Sequence, residues 1–342
     1  MSADQARMLA AARAEPLWPT PPGWRVAFGL FVAAGVVVYP LLVTSTFAQH
    51  TMILIFLYAL MAQSWNVVAG LSGQISLGHA MFFGIGAYAV GVIGVKFGIT
   101  PWVGVVVGMI LAALAAVAVG IPTLRLKGHY FAIATLLIGS GVQIIFQRWD
   151  WVGAASGLFL PLKRGSPWLD MQFHTSKVPY YYLALAAAAL AFLIVWKLRR
   201  SRLGFRLQAL RDDADAAASL GVAVARHKVL AFMISAAMMS VAGSFYTQYV
   251  LVLDPERVFS VDISIIVVLM TVLGGSGTLW GPAIGAALLI PLSEYSRIWF
   301  GSTGRTVDLM IYGVLIVVIC MWRPAGLMSI FEERIRRRVA PR

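Results

Sequence analysis

Apolar runs, most of them of membrane-spanning length, succeed one another from Val26 to Trp322. A hydrocarbon layer about 30 Å thick is crossed by roughly 20 residues of α-helix. In lipid every backbone N–H and C=O must find its partner within the protein, which a helix provides within one segment. They cover 26–43, 51–69, 77–95, 101–121 and 130–146 in the first half, then 180–196, 229–253, 261–273, 282–295 and 307–322. The expected fold is an all-α, polytopic transmembrane bundle of about ten membrane segments.

Composition excludes the soluble alternatives. Hydrophobic residues make up 60% of the 342 and charged residues 12%, where a soluble domain spends about a quarter of its residues on charge. The net charge of +13 does not indicate nucleic acid, because the Lys and Arg flank apolar runs instead of gathering on a soluble face. They concentrate at Arg7, Arg13 and Arg25, at Arg125 and Lys127, between Lys197 and Lys228, and from Arg323 onward. The positive-inside rule then predicts two cytoplasmic termini and an even number of crossings. It makes 148–179 the largest external loop and 199–228 a cytoplasmic loop. Residues 1–24, with Pro16, Pro19, Pro21 and Pro22, read as a flexible cytoplasmic arm. The arm lacks the three-part pattern of a signal peptide and is expected to be retained. The membrane domain covers 25–325, and 326–342 form a basic cytoplasmic tail.

The runs 261–273 and 282–295 are short and are separated by Gly274, Gly275, Ser276, Gly277, Gly281 and Pro282. Two readings stand. They are half-helices or a re-entrant pair lining a pathway, or short tilted helices joined by a cytoplasmic turn.

Motifs for catalysis are missing: no G-x-x-x-x-G-K-[ST], no H-E-x-x-H and no G-x-S-x-G. No catalytic residue, metal site or cofactor is expected, and any energy source lies on another chain. Cys320 is the single cysteine, a small apolar residue in the last run. Asp262 and Glu294 lie near run ends and read as interfacial rather than as ion-coupling groups. The stretch AQSWNVVAGLSGQISLGHAMFFGIGAYAVGV, from Ala62, mixes glycines with Gln63, Asn66, Gln74, Ser76 and His79. Polar groups in hydrocarbon must find a partner or face water. These five, with Ser276 and Thr278, are therefore candidates either for a solute path or for hydrogen bonds between helices. His79 reads as a bonded structural histidine.

The run S-G-Q-I-S-L-G-H-A-x-F-F-G-I-G-A-Y, Ser72 to Tyr88, resembles the signature segment of LivM-type permeases of branched-chain amino acid ABC transporters. RLKGHYFAIATL from Arg125, SGLFLP from Ser156, RLGFRLQALRDDADAAASLGV from Arg202, VLGGSGTLWGPAIGA from Val272 and RPAGL from Arg323 follow in order. One departure is Val152, Gly153, Ala154, Ala155, where the family has a Thr-Gly-Gly type run. The resemblance implies a non-catalytic subunit of a bacterial inner-membrane importer. Its implied partners are a LivH-type second permease, two cytoplasmic ATP-binding subunits and a periplasmic solute-binding protein. Asp215, Ala216, Ala217 and Gly221 are similar to the E-A-A-x-x-x-G loop that docks such permeases onto their ATPases, with Asp in place of Glu. Branched-chain amino acids are the expected solutes. Urea, amides or aromatic acids are the alternatives within the class, and a secondary carrier or a membrane enzyme outside it.

Overall fold

In the computed structural model, each apolar run that falls among the described residues becomes a helix. Those residues are 34–126, 128–162, 166–173, 176–300, 313–314 and 326–328. Residues 34–42 are helical and belong to a separate unit ending at Ser45. The larger unit begins with α1 (Thr46–Ser72), α2 (His79–Lys96), α3 (Pro101–Thr123) and α4 (His129–Arg148). It continues with α5 (Val178–Arg200), the short α6 (Arg202–Asp212) and α7 (Ala214–Ser219), then α8 (Val224–Val250), α9 (Val261–Gly274) and α10 (Gly281–Phe300). The arm 1–24 lies outside the described residues, as do most of the run 307–322 and of the tail.

Seven of the described segments are long and apolar enough to cross a bilayer; the seventh joins the helical turn Pro255–Val258 to α9. The chain is thus an all-α membrane protein. Among the described residues the strand pairing is a two-residue antiparallel ladder, β1 (Leu158–Phe159) on β2 (Val252–Leu253). It ties the SGLFLP segment to the residues following α8.

Helix ends differ from the apolar runs where the helix continues through polar and charged residues. α10 runs on to Phe300, past Glu294 and Arg297, because these two pair at 3.3 Å one turn apart. α8 starts at Val224, not Val229. Its first turns carry Arg226, His227 and Lys228, and the His227 ring bonds Arg206 of α6 and the Ala223 carbonyl.

Packing divides the helices into an inner and an outer set. The apolar windows of α1 and α2 are 72% buried and that of α8 61%, against 28%, 22% and 28% for α3, α4 and α5. α3 shows the reason. Gly104, Gly108, Ala112, Ala116 and Gly120 recur every fourth residue and are all buried, so they share one face. Small residues at that spacing let helices approach closely in lipid. The opposite face exposes Val103, Val106, Ile110, Leu114 and Ile121, as a lipid-facing surface should. α2 and α8 approach closely: a Cβ on Gly243 would lie 1.9 Å from the Phe83 carbonyl oxygen. A second apolar cluster joins α1, α9 and α10 through Ala59, Ala62, Met270, Leu273, Ala286 and Leu289.

The alternating helices define two ends. One carries the segment after α4, the β1–β2 ladder and the start of α1, where Phe47 meets Tyr295 of α10 edge to face. The other carries the α1–α2 turn, α6 and α7, and the turn between α9 and α10. Leu327 also lies there, its N–H donating to the Leu273 carbonyl at 2.9 Å.

Candidate functional site

The second of these ends gathers most of the residues singled out from sequence. α1 stops at Ser72 because Gly73 takes φ +71, a conformation that favours glycine. A helix terminus leaves its last carbonyls without intrahelical partners. Here the Val68 carbonyl accepts from Gln74 N–H at 3.2 Å and that of Ala69 from Gly73 N–H at 3.1 Å. The Gly70 carbonyl accepts from Nη1 of Arg211, at the end of α6, at 2.6 Å.

The turn that follows is fixed from both sides. Trp65 Nε1 donates to the Ser76 carbonyl at 2.7 Å, and Leu77 N–H donates to Thr135 Oγ1 of α4 at 3.1 Å. Ser76 Oγ lies 3.0 Å from His79 Nδ1, and His79 Nε2 lies 2.8 Å from Ser235 Oγ of α8. Ser235 Oγ donates its own proton to the Ser64 carbonyl at 2.7 Å. It must therefore accept from His79, which assigns the ring proton to Nε2 and leaves Nδ1 to accept from Ser76. With both ring nitrogens engaged and the residue fully buried, His79 is a bonded histidine linking the α1–α2 turn to α8.

Gln63 and Asn66 have a different task. Asn66 Oδ1 accepts from Gly277 N–H at 2.7 Å, and its Nδ2 donates to the Thr278 carbonyl at 2.9 Å. Gln63 Nε2 donates to the Leu279 carbonyl at 2.5 Å. Thr278 Oγ1 donates to the Gly275 carbonyl and accepts from Gly281 N–H, at 2.8 and 3.0 Å. Irregular backbone next to a bilayer needs protein partners, and two buried carboxamides of α1 supply them to the 275–280 turn. Gly277, at φ +78, sits so close beneath the Arg211 guanidinium that a Cβ there would be 2.2 Å from Nη1. Thus the structure brings Gln63, Asn66 and Thr278 into one bonded cluster and Ser76 with His79 into another. Gln74 is half-buried and Ser276 exposed beside them.

α6 and α7 cover this end. Ser201 caps α6 by accepting from Gly204 N–H at 3.1 Å. Asp213 caps α7 by accepting from the N–H groups of Asp215 and Ala216, each at 2.9 Å. Asp215, Ala216 and Gly221 are exposed, whereas Ala217 is buried against its own chain. Sequence reasoning missed two residues here. Leu220, 87% exposed between α7 and Gly221, was signalled only by being apolar in a polar loop. Arg211 gave no signal beyond its charge.

Comparison with known proteins adds a lineage to this geometry. Residues 47–319 match the family model described as branched-chain amino acid transport system / permease component. The chain is 30% identical over 304 residues to the high-affinity branched-chain amino acid transport system permease protein LivM of Escherichia coli, covering 83% of this chain and 70% of that protein. It is 27% identical over 290 residues to the corresponding LivH protein of Salmonella typhimurium, covering 80% and 91%. Against the BraD permease of Pseudomonas aeruginosa, identity is 25% over 286 residues, covering 80% and 91%.

Proposed function

The chain belongs to the family of permease components of branched-chain amino acid transport systems, and we propose on that premise that it is a channel-forming subunit of an ABC importer for branched-chain amino acids. The observation that carries the proposal is the match across 47–319, which takes in every described helix of the bundle from α1 to α10. Relatives of both LivM and LivH type support pairing with a second, LivH-type permease. Two ATP-binding subunits on the cytoplasmic side supply the energy, and a periplasmic solute-binding protein delivers solute to the other face. The protein resides in the bacterial inner membrane and has no catalytic role of its own. Among solutes, the names of the relatives favour leucine, isoleucine and valine over urea, amides or aromatic acids.

On this reading the end bearing α6, α7 and the 275–280 turn is cytoplasmic. The Arg and Lys between 199 and 228 support that orientation, and 148–179 is then external. Ten membrane segments with both termini cytoplasmic remain the proposed topology. It is supported by Leu327 returning to the same end as Arg211.

α7 with Asp215, Ala216, Ala217 and Gly221 is the ATPase-docking element. Ala217 seats the helix on its own chain while Asp215, Ala216, Leu220 and Gly221 face outward. Among the path candidates, Gln74 and Ser276 meet the solute. Gln63, Asn66, Ser76, His79 and Thr278 hold the wall behind them, since their polar atoms already have partners.

The test is reconstitution of the four kinds of subunit in proteoliposomes. ATP-dependent accumulation of labelled leucine, abolished when this chain is omitted, is the expected result. Leucine uptake by this chain alone under an ion gradient would instead establish a secondary carrier.

A further inference from the structure

We propose that Arg211 is the positioning residue through which displacement of α7 reaches the transmembrane helices; the inference rests on the reading of α7 as the ATPase-docking element. Only Asp212 separates Arg211 from Asp213, the residue that caps α7 with two 2.9 Å hydrogen bonds. A cap of this kind fixes the helix to the chain entering it. Movement of α7 therefore has no slack segment in which to dissipate before it arrives at Arg211.

From Arg211 the contacts diverge to two elements. The guanidinium donates to the Gly70 carbonyl at 2.6 Å, a charged donor at the negative end of a 27-residue helix, and both features strengthen the bond. The same group rests on Gly277, and the Arg211 backbone crosses Gly73 so closely that a Cβ there would be 3.3 Å from Arg211 Cα. Gly277 is in turn held by Asn66, and Leu279 by Gln63. A pull on Arg211 thus acts on the last turn of α1 and on the turn joining α9 to α10, the two elements that flank Gln74 and Ser276. The rest of α6 is held differently, with Leu207 and Leu210 buried against the bundle. Replacing Arg211 should leave that apolar seat in place and remove the link at its end.

The experiment compares wild type, Arg211→Ala and Arg211→Lys in the complete importer, reading solute moved per ATP hydrolysed together with ATPase co-purification and thermal midpoint. Arg211→Ala should retain its ATPases and hydrolyse ATP while solute moved per ATP falls about tenfold, in the range of coupling free energies between linked sites. Arg211→Lys, which keeps a charged donor, should recover most of the loss. An unchanged ratio in Arg211→Ala overturns the inference and leaves the docking reading standing. A fall in co-purification that matches the fall in transport overturns it too, because the residue would then serve docking rather than transmission. Wild-type assembly and transport in both Leu220→Arg and Gly221→Arg overturn the docking reading, and the inference with it.

Discussion

Ser64 of α1 and Ser235 of α8 each donate a side-chain hydroxyl to the other's backbone carbonyl, both at 2.7 Å. The clasp is symmetric in distance and asymmetric in consequence. Ser235 Oγ also serves His79, while the Ser64 hydroxyl serves Ser235 alone. Ser235→Ala should therefore cost more stability than Ser64→Ala: about 1–2 kcal/mol against about 0.6 kcal/mol, the range found for hydrogen bonds between membrane helices. Unfolding of the two variants in detergent titrations measures the difference, and equal losses would mean that His79 draws nothing from this bond.

Asn66 and Gln74 were grouped by sequence and are separated by environment, which makes their leucine variants diverge. Asn66→Leu strips the 275–280 turn of two main-chain partners and should lower the thermal midpoint, with a cost of about 1–3 kcal/mol for the groups left unsatisfied. Gln74→Leu and Ser276→Leu should leave the midpoint unchanged and slow uptake of labelled leucine. Normal uptake in both of the latter would remove them from the solute path.

Leu220 is exposed on the face assigned to the cytoplasm, where an apolar side chain gains only by meeting a partner. Complete burial of a leucine is worth about 1.5–3 kcal/mol, so Leu220→Ala should weaken ATPase retention by roughly tenfold or more. Leu220→Arg and Gly221→Arg should abolish it while the chain still inserts in the membrane. Co-purification of tagged subunits under graded detergent washing gives the measurement. Ala217→Arg should behave differently, destabilising the chain itself, because Ala217 is only 4% exposed.

Topology is checked by thiol labelling in a Cys320→Ser background. Leu162→Cys, at an exposed position between β1 and α5, should react with an impermeant reagent added outside. Asp215→Cys should react only after the inner face is opened. Labelling in the reverse order would invert the orientation, and labelling of both from one side would contradict their positions at opposite ends.

Much of the bundle was legible because each lipid-facing helix declares itself by an unbroken apolar run. What escaped were interactions that use single polar residues across long separations. Glu294 and Arg297 hid the last turn of α10, since a hydropathy reading sees two charges where the helix has one neutral pair. Gln63 and Asn66, offered as path or interhelical-bond residues, use their carboxamides in bonds to another element. Their partner is the backbone of the Gly-rich turn, which carries no side-chain signature. Arg211 was invisible for the same reason: its acceptor is a glycine carbonyl. The hydrogen-bond donors stood in plain view, and main-chain acceptors cannot be read from residue type.

The partners of α1 also impose an order of events during synthesis. Ser64 waits for a residue 171 positions downstream and Asn66 for one 212 positions downstream. At about 5–20 residues per second, roughly ten to forty seconds separate emergence of α1 from emergence of the groups that satisfy it. Throughout that interval its carboxamides and hydroxyls face either lipid or the wet interior of the insertion machinery. Release of α1 into lipid is thereby disfavoured until α8 and α10 arrive, and the central helix, among the first made, is among the last to be finished.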